Sequence, residues 1–205
     1  MRFEERDVGG GRAPGVLQIV NPDPRYTRVQ LIEPTTRGYL KERRAGLRRA
    51  DFDLMVLIQT ASPGDAERVQ ASRPYTAIVE TLTRAAGGVW SMRARNVKRI
   101  ADVDTSPGGL FLFNHFVAED RSVMFDLWDY LACWYRVETG LANSVAMAPA
   151  DGQPADYAIV NWARWDASPA HHFWTQLSKR SFWRYVVKNL DANHAAAMPI
   201  YCRLA

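Results

Sequence analysis

Along this chain the spacing of apolar residues changes period several times, and each change marks an element. Residues 110–118, LFLFNHFVA, have the period of a strand, so the neighbours Asn114 and His115 must point to opposite faces. In RSVMFDLWDYLACWYRVET (121–139), Met124, Leu127, Trp128, Leu131, Trp134 and Tyr135 recur at helical spacing, and Gly140 supplies the stop. LANSVAMAP (141–149) predicts a strand, ADGQPAD (150–156) a turn, and YAIVNWARWD (157–166) the returning strand of a hairpin. Ser168 and Pro169 form a helix start, the hydroxyl capping free amides and the proline occupying the first turn. That helix carries Phe173, Trp174 and Leu177. Its apolar phase slips across SKRS (178–181), which predicts a break near Lys179–Ser181 before Phe182, Trp183, Val186, Val187 and Leu190. PIYCRLA (199–205) closes as a strand. Strand, helix, strand, strand, helix, strand is the ferredoxin-like split βαβ order, so the fold class is α+β.

The first half fits a less regular relative of the same unit. YTRVQLIE (26–33) predicts a strand, residues from about 36 to 49 a helix, FDLMVLIQT (52–60) a strand, 62–88 a helix and VWSMRARNVKRIADVD (89–104) a strand. QTASPGDAERV (59–69) and RWDASPAHHFW (164–174) both run strand, Ser-Pro cap, helix. One organisation is a duplicated fold, with a disordered or extended arm at 1–25, a degenerate ferredoxin-like unit at 26–105 and a second unit at 109–205. The other is an irregular extension wrapping a single unit.

Composition narrows the function classes. The chain has 205 residues, 47% hydrophobic and 23% charged, an ordinary globular balance. No apolar run approaches the roughly 18 residues that a membrane span needs, and MRFEERDVGGGRAPG has no apolar signal core, so the expectation is a cytoplasmic protein without membrane contact. The net charge of +4 is dispersed apart from KERRAGLRR (41–49), whose spacing suits a solvated helix face better than a nucleic-acid patch. Cys133 and Cys202 are unpatterned and read as buried thiols. No dinucleotide fingerprint, phosphate loop or nucleophile elbow occurs, which disfavours a tightly held dinucleotide. Six of the seven tryptophans, Trp90 excepted, lie in the second half, and a site is expected there.

GLANSVAMAPADG, YAIVNWARWDASPAHHFW and KRSFWRYV, in that order and spacing, resemble the antibiotic-biosynthesis monooxygenase (quinol monooxygenase-like) family of dimeric α+β barrels. The resemblance covers roughly 109–205. It implies a pocket between sheet and helices, a barrel of paired sheets, and oxidation of a planar phenolic substrate such as an anthrone or quinol by molecular oxygen, with no metal and no tightly bound cofactor. Chains with two such units also resemble the oxygenases that open a ring in angucycline-type polyketides. That branch implies reduced flavin (FMNH2 or FADH2) as cosubstrate, with a flavin reductase as a partner. A homodimer is the alternative to a barrel closed within one chain.

The chemistry suggests where to look. Triplet oxygen reacts slowly with closed-shell molecules, so a site must turn its substrate into an electron-rich anion, using an apolar slot, hydrogen-bond donors and a base. His115 is either a general base or a satisfied structural histidine. Asn114, a polar amide among aromatics, is a candidate donor to an oxyanion. Strand alternation sets Asn161, Ala163 and Trp165 on one face, favoured as a pocket wall, and Trp162 with Arg164 on the other, where Arg164 is a second-choice substrate contact. Asn161 and Trp128 are candidates, with Asn114, for anion stabilisation. Trp134 and Tyr135 on the same helical stripe, and His171 and Phe173 near the next helix start, are candidate substrate contacts. His171 and His172 diverge on a helix and lack a carboxylate at metal-binding spacing, so no metal site is expected. The same residues could serve a polyketide cyclase or a non-catalytic ligand-binding protein.

Overall fold

A computed structural model describes residues 47–50, 52, 54–85, 88–105, 108–152 and 155–203, together with the backbone of two strands at 13–20 and 29–30. In chain order the first half runs β1 (Ala13–Val20), β2 (Val29–Gln30), β3 (Leu54–Thr60), α1 (Pro63–Gln70), α2 (Arg73–Ala85) and β4 (Gly88–Ala101). The second half runs β5 (Leu110–Ala118), α3 (Arg121–Thr139), β6 (Ser144–Pro149), β7 (Ile159–Trp165), α4 (Pro169–Leu177), a π-helical segment (Phe182–Val187), α5 (Lys188–Ala192) and β8 (Ala195–Cys202). Most of the predicted helix at about 36–49 lies outside the described residues, and 47–50 are irregular.

The eight strands form one sheet in the order β2-β8-β5-β7-β6-β4-β1-β3, and every pairing is antiparallel. Its middle, β8-β5-β7-β6, is the ferredoxin-like order of a split βαβ unit. Strands from the first half occupy both edges of that unit: β4 pairs with β6, and β2 with β8. Exposed strand edges invite unwanted pairing, so this arrangement protects two of them within one chain.

Three elements differ from the sequence expectation. Residues 13–20, within the expected arm, form strand β1 between β3 and β4. The single helix expected over 62–88 is two, because the Ser72 hydroxyl donates to Val69 O at 2.6 Å and accepts from Tyr75 N at 3.4 Å. One residue thereby ends α1 and caps α2, and Pro74 is tolerated in the first turn that follows. β8 starts at Ala195 rather than Pro199; the weak strand propensity of three alanines is overridden by pairing of Ala195–Ala197 with Phe116–Ala118.

The helix ends follow their caps. The Asp120 carboxylate accepts from Ser122 N at 2.8 Å, and Gly140 takes φ 69° at the end of α3. Ser168 Oγ accepts from His171 N at 3.2 Å at the start of α4. The break after α4 is clamped to α3: Lys179 Nζ donates to Glu138 O at 2.6 Å and pairs with the Glu138 carboxylate at 2.7 Å, while Ser181 Oγ donates to the same carboxylate at 3.3 Å. The Lys179 ammonium holds the Glu138 carboxyl below its usual range. Lys98 on β4 donates to Phe125 O at 3.0 Å and pairs with Asp129, tying the first half to α3.

Alternation along β5 divides the core. Phe111, Phe113 and Val117 pack on one face with Phe52, Tyr157 and Trp162. Phe116 faces the other way, against Met124, Trp128 and Leu131 of α3. Arg164 belongs to the first face, 5.9 Å over the Phe111 ring and paired with Asp166 at 2.8 Å and Asp104 at 3.4 Å. Gly109 lies against it with φ +82°, and a Cβ there would sit 2.6 Å from Arg164 Nε. Gly109→Ala is therefore expected to destabilise the protein by about 1–2 kcal/mol, from the left-handed backbone together with displacement of the guanidinium. Chemical denaturation checks this, and an unchanged midpoint would contradict the packing described.

Candidate active site

The face of the sheet covered by α3 carries a cavity that is partly open to solvent. Helix α3 contributes Trp128, Leu131, Ala132 and Tyr135, and β5 contributes Leu112, Asn114 and Phe116. Asn161 and Trp165 come from β7, and Ser144 from β6. Val186 at the end of the π-helical segment and Leu190 on α5 reach it from the other side. The wide π turn is uncommon in proteins and recurs near functional sites.

The polar part of this lining is small and ordered. Trp128 Nε1 donates to Asn161 Oδ1 at 2.8 Å, and Ser144 Oγ donates to the same oxygen at 2.7 Å. An indole N–H can only donate, so the atom facing it must be the amide oxygen. The orientation of Asn161 follows: its oxygen accepts from two donors, and its NH₂ remains as the group able to donate to a ligand. Asn114 is the direct cross-strand partner of Asn161, which places the two amides side by side. Asn114 Oδ1 is buried without a hydrogen-bond partner among the described residues. A buried amide oxygen in that state costs free energy, and a donor on a bound ligand would recover it.

The aromatic walls are fixed in turn. Tyr135 Oη donates to Gln176 Oε1 at 3.1 Å, and Trp165 Nε1 donates to Thr139 Oγ1 at 3.1 Å. Behind Trp165 lies His172, with ring centroids 4.3 Å apart, and Gln176 Nε2 donates to Tyr201 Oη at 3.3 Å.

Of the residues singled out from the sequence, the structure gathers Asn114, Asn161, Trp128, Tyr135 and Trp165 around one cavity. The others lie elsewhere. His115 is wholly buried on the opposite face of β5, 4.8 Å from the Tyr157 ring and 5.5 Å from the Phe52 ring. Burial pushes its imidazole down to about 3. The expectation that it serves as a base at the pocket therefore meets a sheet standing between it and the cavity. Arg164 shares that opposite face. Trp134 packs on Phe182 with centroids 5.6 Å apart, Phe173 packs on Tyr201 at 5.1 Å, and exposed His171 opens α4. Ser144 was missed. In the folded hairpin it stands opposite Ala163, two residues from Asn161 on the same face, a register one residue away from the one given by counting back from the ends of the 141–149/157–166 hairpin.

The molecule is thus an α+β protein with a ferredoxin-like sheet, in which an apolar cavity between sheet and helix holds two neighbouring amides. No protein-family model and no curated protein matches the sequence. Among solved structures the fold is similar to that of an anthrone oxidase-like protein, with TM-score 0.61 and 11% identity over 99% of this chain and 94% of that one. It is also similar to a candidate monooxygenase from Fusobacterium nucleatum, with TM-score 0.58 and 7% identity over 96% and 93% of the two chains. At such identities the likeness is one of fold.

Two predictions follow from the geometry. Trp128→Phe keeps the ring and removes the N–H, so it is expected to cost about 1 kcal/mol and to loosen Asn161; an unaltered unfolding free energy would remove the indole from the network. His172, like His115, is neutral when folded: burial, and then the charge of His171, hold it at about 4 against an ordinary value of 6.5. Below 6.5 the unfolded chain binds more protons than the folded one, so stability present above 6.5 is lost as pH falls toward 4. His172→Phe is expected to flatten that fall in pH-dependent denaturation, and an identical slope would contradict a buried neutral imidazole.

Proposed function

We propose that this protein is an oxygenase that oxidises a polycyclic aromatic phenol, anthrone or quinol of the aromatic polyketide type, using molecular oxygen. The observation that carries this reading is the orientation-locked Asn161 donor beside Asn114 in a cavity lined, Ser144 apart, by apolar and aromatic side chains. The names of the two structural neighbours point the same way.

The planar rings would lie between Trp165, Leu131 and the sheet, with the substrate carbonyl or phenolate oxygen at the Asn161 NH₂. A preorganised donor in a water-poor site stabilises the enolate or phenolate more than the neutral substrate and so lowers the substrate's own pKa. Among the described residues no histidine lines the cavity, and in this reading the proton leaves to water through the open side. The anion gives one electron to oxygen, the resulting radical pair joins to form a carbon–oxygen bond, and the hydroperoxide loses water. For a ring methylene the sum is CH₂ plus O₂ to C=O plus H₂O, with both electrons of each broken C–H bond passing to oxygen.

The residues fit a resident flavin poorly. A flavin nucleotide carries phosphate, and among the described residues no charged side chain lines the cavity to hold it. No step is assigned to one.

The test is oxygen uptake with anthrone under air and under nitrogen, with product mass. Oxygen-dependent gain of one oxygen and loss of two hydrogens is expected. Asn161→Asp keeps the shape and sets a carboxylate against the developing anion, so kcat is expected to fall roughly 10²–10³-fold. Turnover without oxygen, or a product differing only by water, would show a cyclase instead.

A further inference from the structure

We propose that the outer face of α4, the π-helical segment and α5 is a docking surface for an anionic lipid bilayer, which the protein meets from one side without crossing it. Between residues 169 and 192, Trp174 is 76% exposed, Leu177 40%, Trp183 37% and Tyr185 47%. The face is continuous: Trp183 Nε1 donates to Leu177 O at 3.1 Å, joining the segment to α4, and Tyr185 stacks on exposed Tyr130 of α3 at 5.9 Å. Large rings are rarely left in water at this density without a partner.

Within residues 169–192 the charges are one-sided. The charged residues from 169 to 192 are Lys179, Arg180, Arg184, Lys188 and Asp191, and Lys179 is taken up by Glu138. Arg180, Arg184 and Lys188 recur every four residues and are exposed. None of the ion pairs among the described residues engages them. Three unspent cations against one acid call for an anionic partner.

The arrangement favours lipid over protein. Trp and Tyr rings interleaved with Arg and Lys on the outside of a helical layer suit the headgroup region, where an amphipathic ring meets acyl chains at one end and water at the other. A protein anchor would gather its rings at the centre of the patch and rim them with charge. The same segment turns Val186 and Leu190 into the cavity. A bilayer touching its outer face would therefore sit one helix thickness from the cavity, next to the phase in which an apolar aromatic substrate dissolves. The surface itself does not depend on the oxygenase reading. No helix among the described residues is long and apolar enough to cross a membrane, which leaves contact from one side.

The test is co-sedimentation of the full chain with phosphatidylcholine vesicles, with and without phosphatidylglycerol. Binding to the anionic vesicles is expected, with loss at high salt and a more than about ten-fold weakening in Arg180→Gln/Arg184→Gln/Lys188→Gln. Trp174→Ser, on a side chain already in water, is a second variant that keeps the fold, and it should weaken binding without changing circular dichroism. Absence of binding to either vesicle overturns the proposal, as does equal binding to neutral vesicles. A wild-type oligomer that Trp174→Ser converts to a monomer also overturns it, because the face would then join copies of this chain.

Discussion

The hydrogen bond from Trp128 Nε1 to Asn161 Oδ1 joins the long helix α3 to the centre of the sheet. Its geometry is one-sided, because indole has no acceptor to offer, and it decides which end of the asparagine is the oxygen. Ser144 closes the arrangement from β6, so that one buried oxygen gathers donors from a helix and a neighbouring strand. Such a network is favourable only when its members are satisfied. Beside it the oxygen of Asn114 is buried without a partner among the described residues, and both asparagines belong to the cavity lining, where a ligand can meet them.

The rest of the fold holds this junction still. α3 is set at one end by the Asp120 cap and at the other by Gly140, and Lys98 and Lys179 tie it to β4 and to the break after α4. Strands β5 and β7, which carry both amides, are the two middle strands of the ferredoxin-like unit and lie in the interior of the sheet, and β4 and β2 cover the edges of that unit. An interior strand has its backbone paired on both sides and moves little, which suits side chains whose value lies in their orientation.

Much of this was legible in the sequence. The boundaries of β5 and α3, the Ser168 cap and the slip before Phe182 all follow from local chemistry that needs no partner: period, capping oxygens, proline and glycine. Strand alternation likewise separated Asn161 and Trp165 from Trp162 and Arg164. The first half was harder to read, because Ser72 splits a helix that its apolar period alone would continue, and because β1 forms through pairing with strands far along the chain.

Local pattern by itself determined that Asn114 and His115 lie on opposite faces of one strand, since successive side chains must alternate. Only the tertiary structure decided which face α3 would cover. That choice put Asn114 at the cavity and closed His115 into the opposite core among Phe52 and Tyr157. The physical reason is that periodicity specifies two faces without ranking them, while their environments come from elements brought together by long-range pairing and burial.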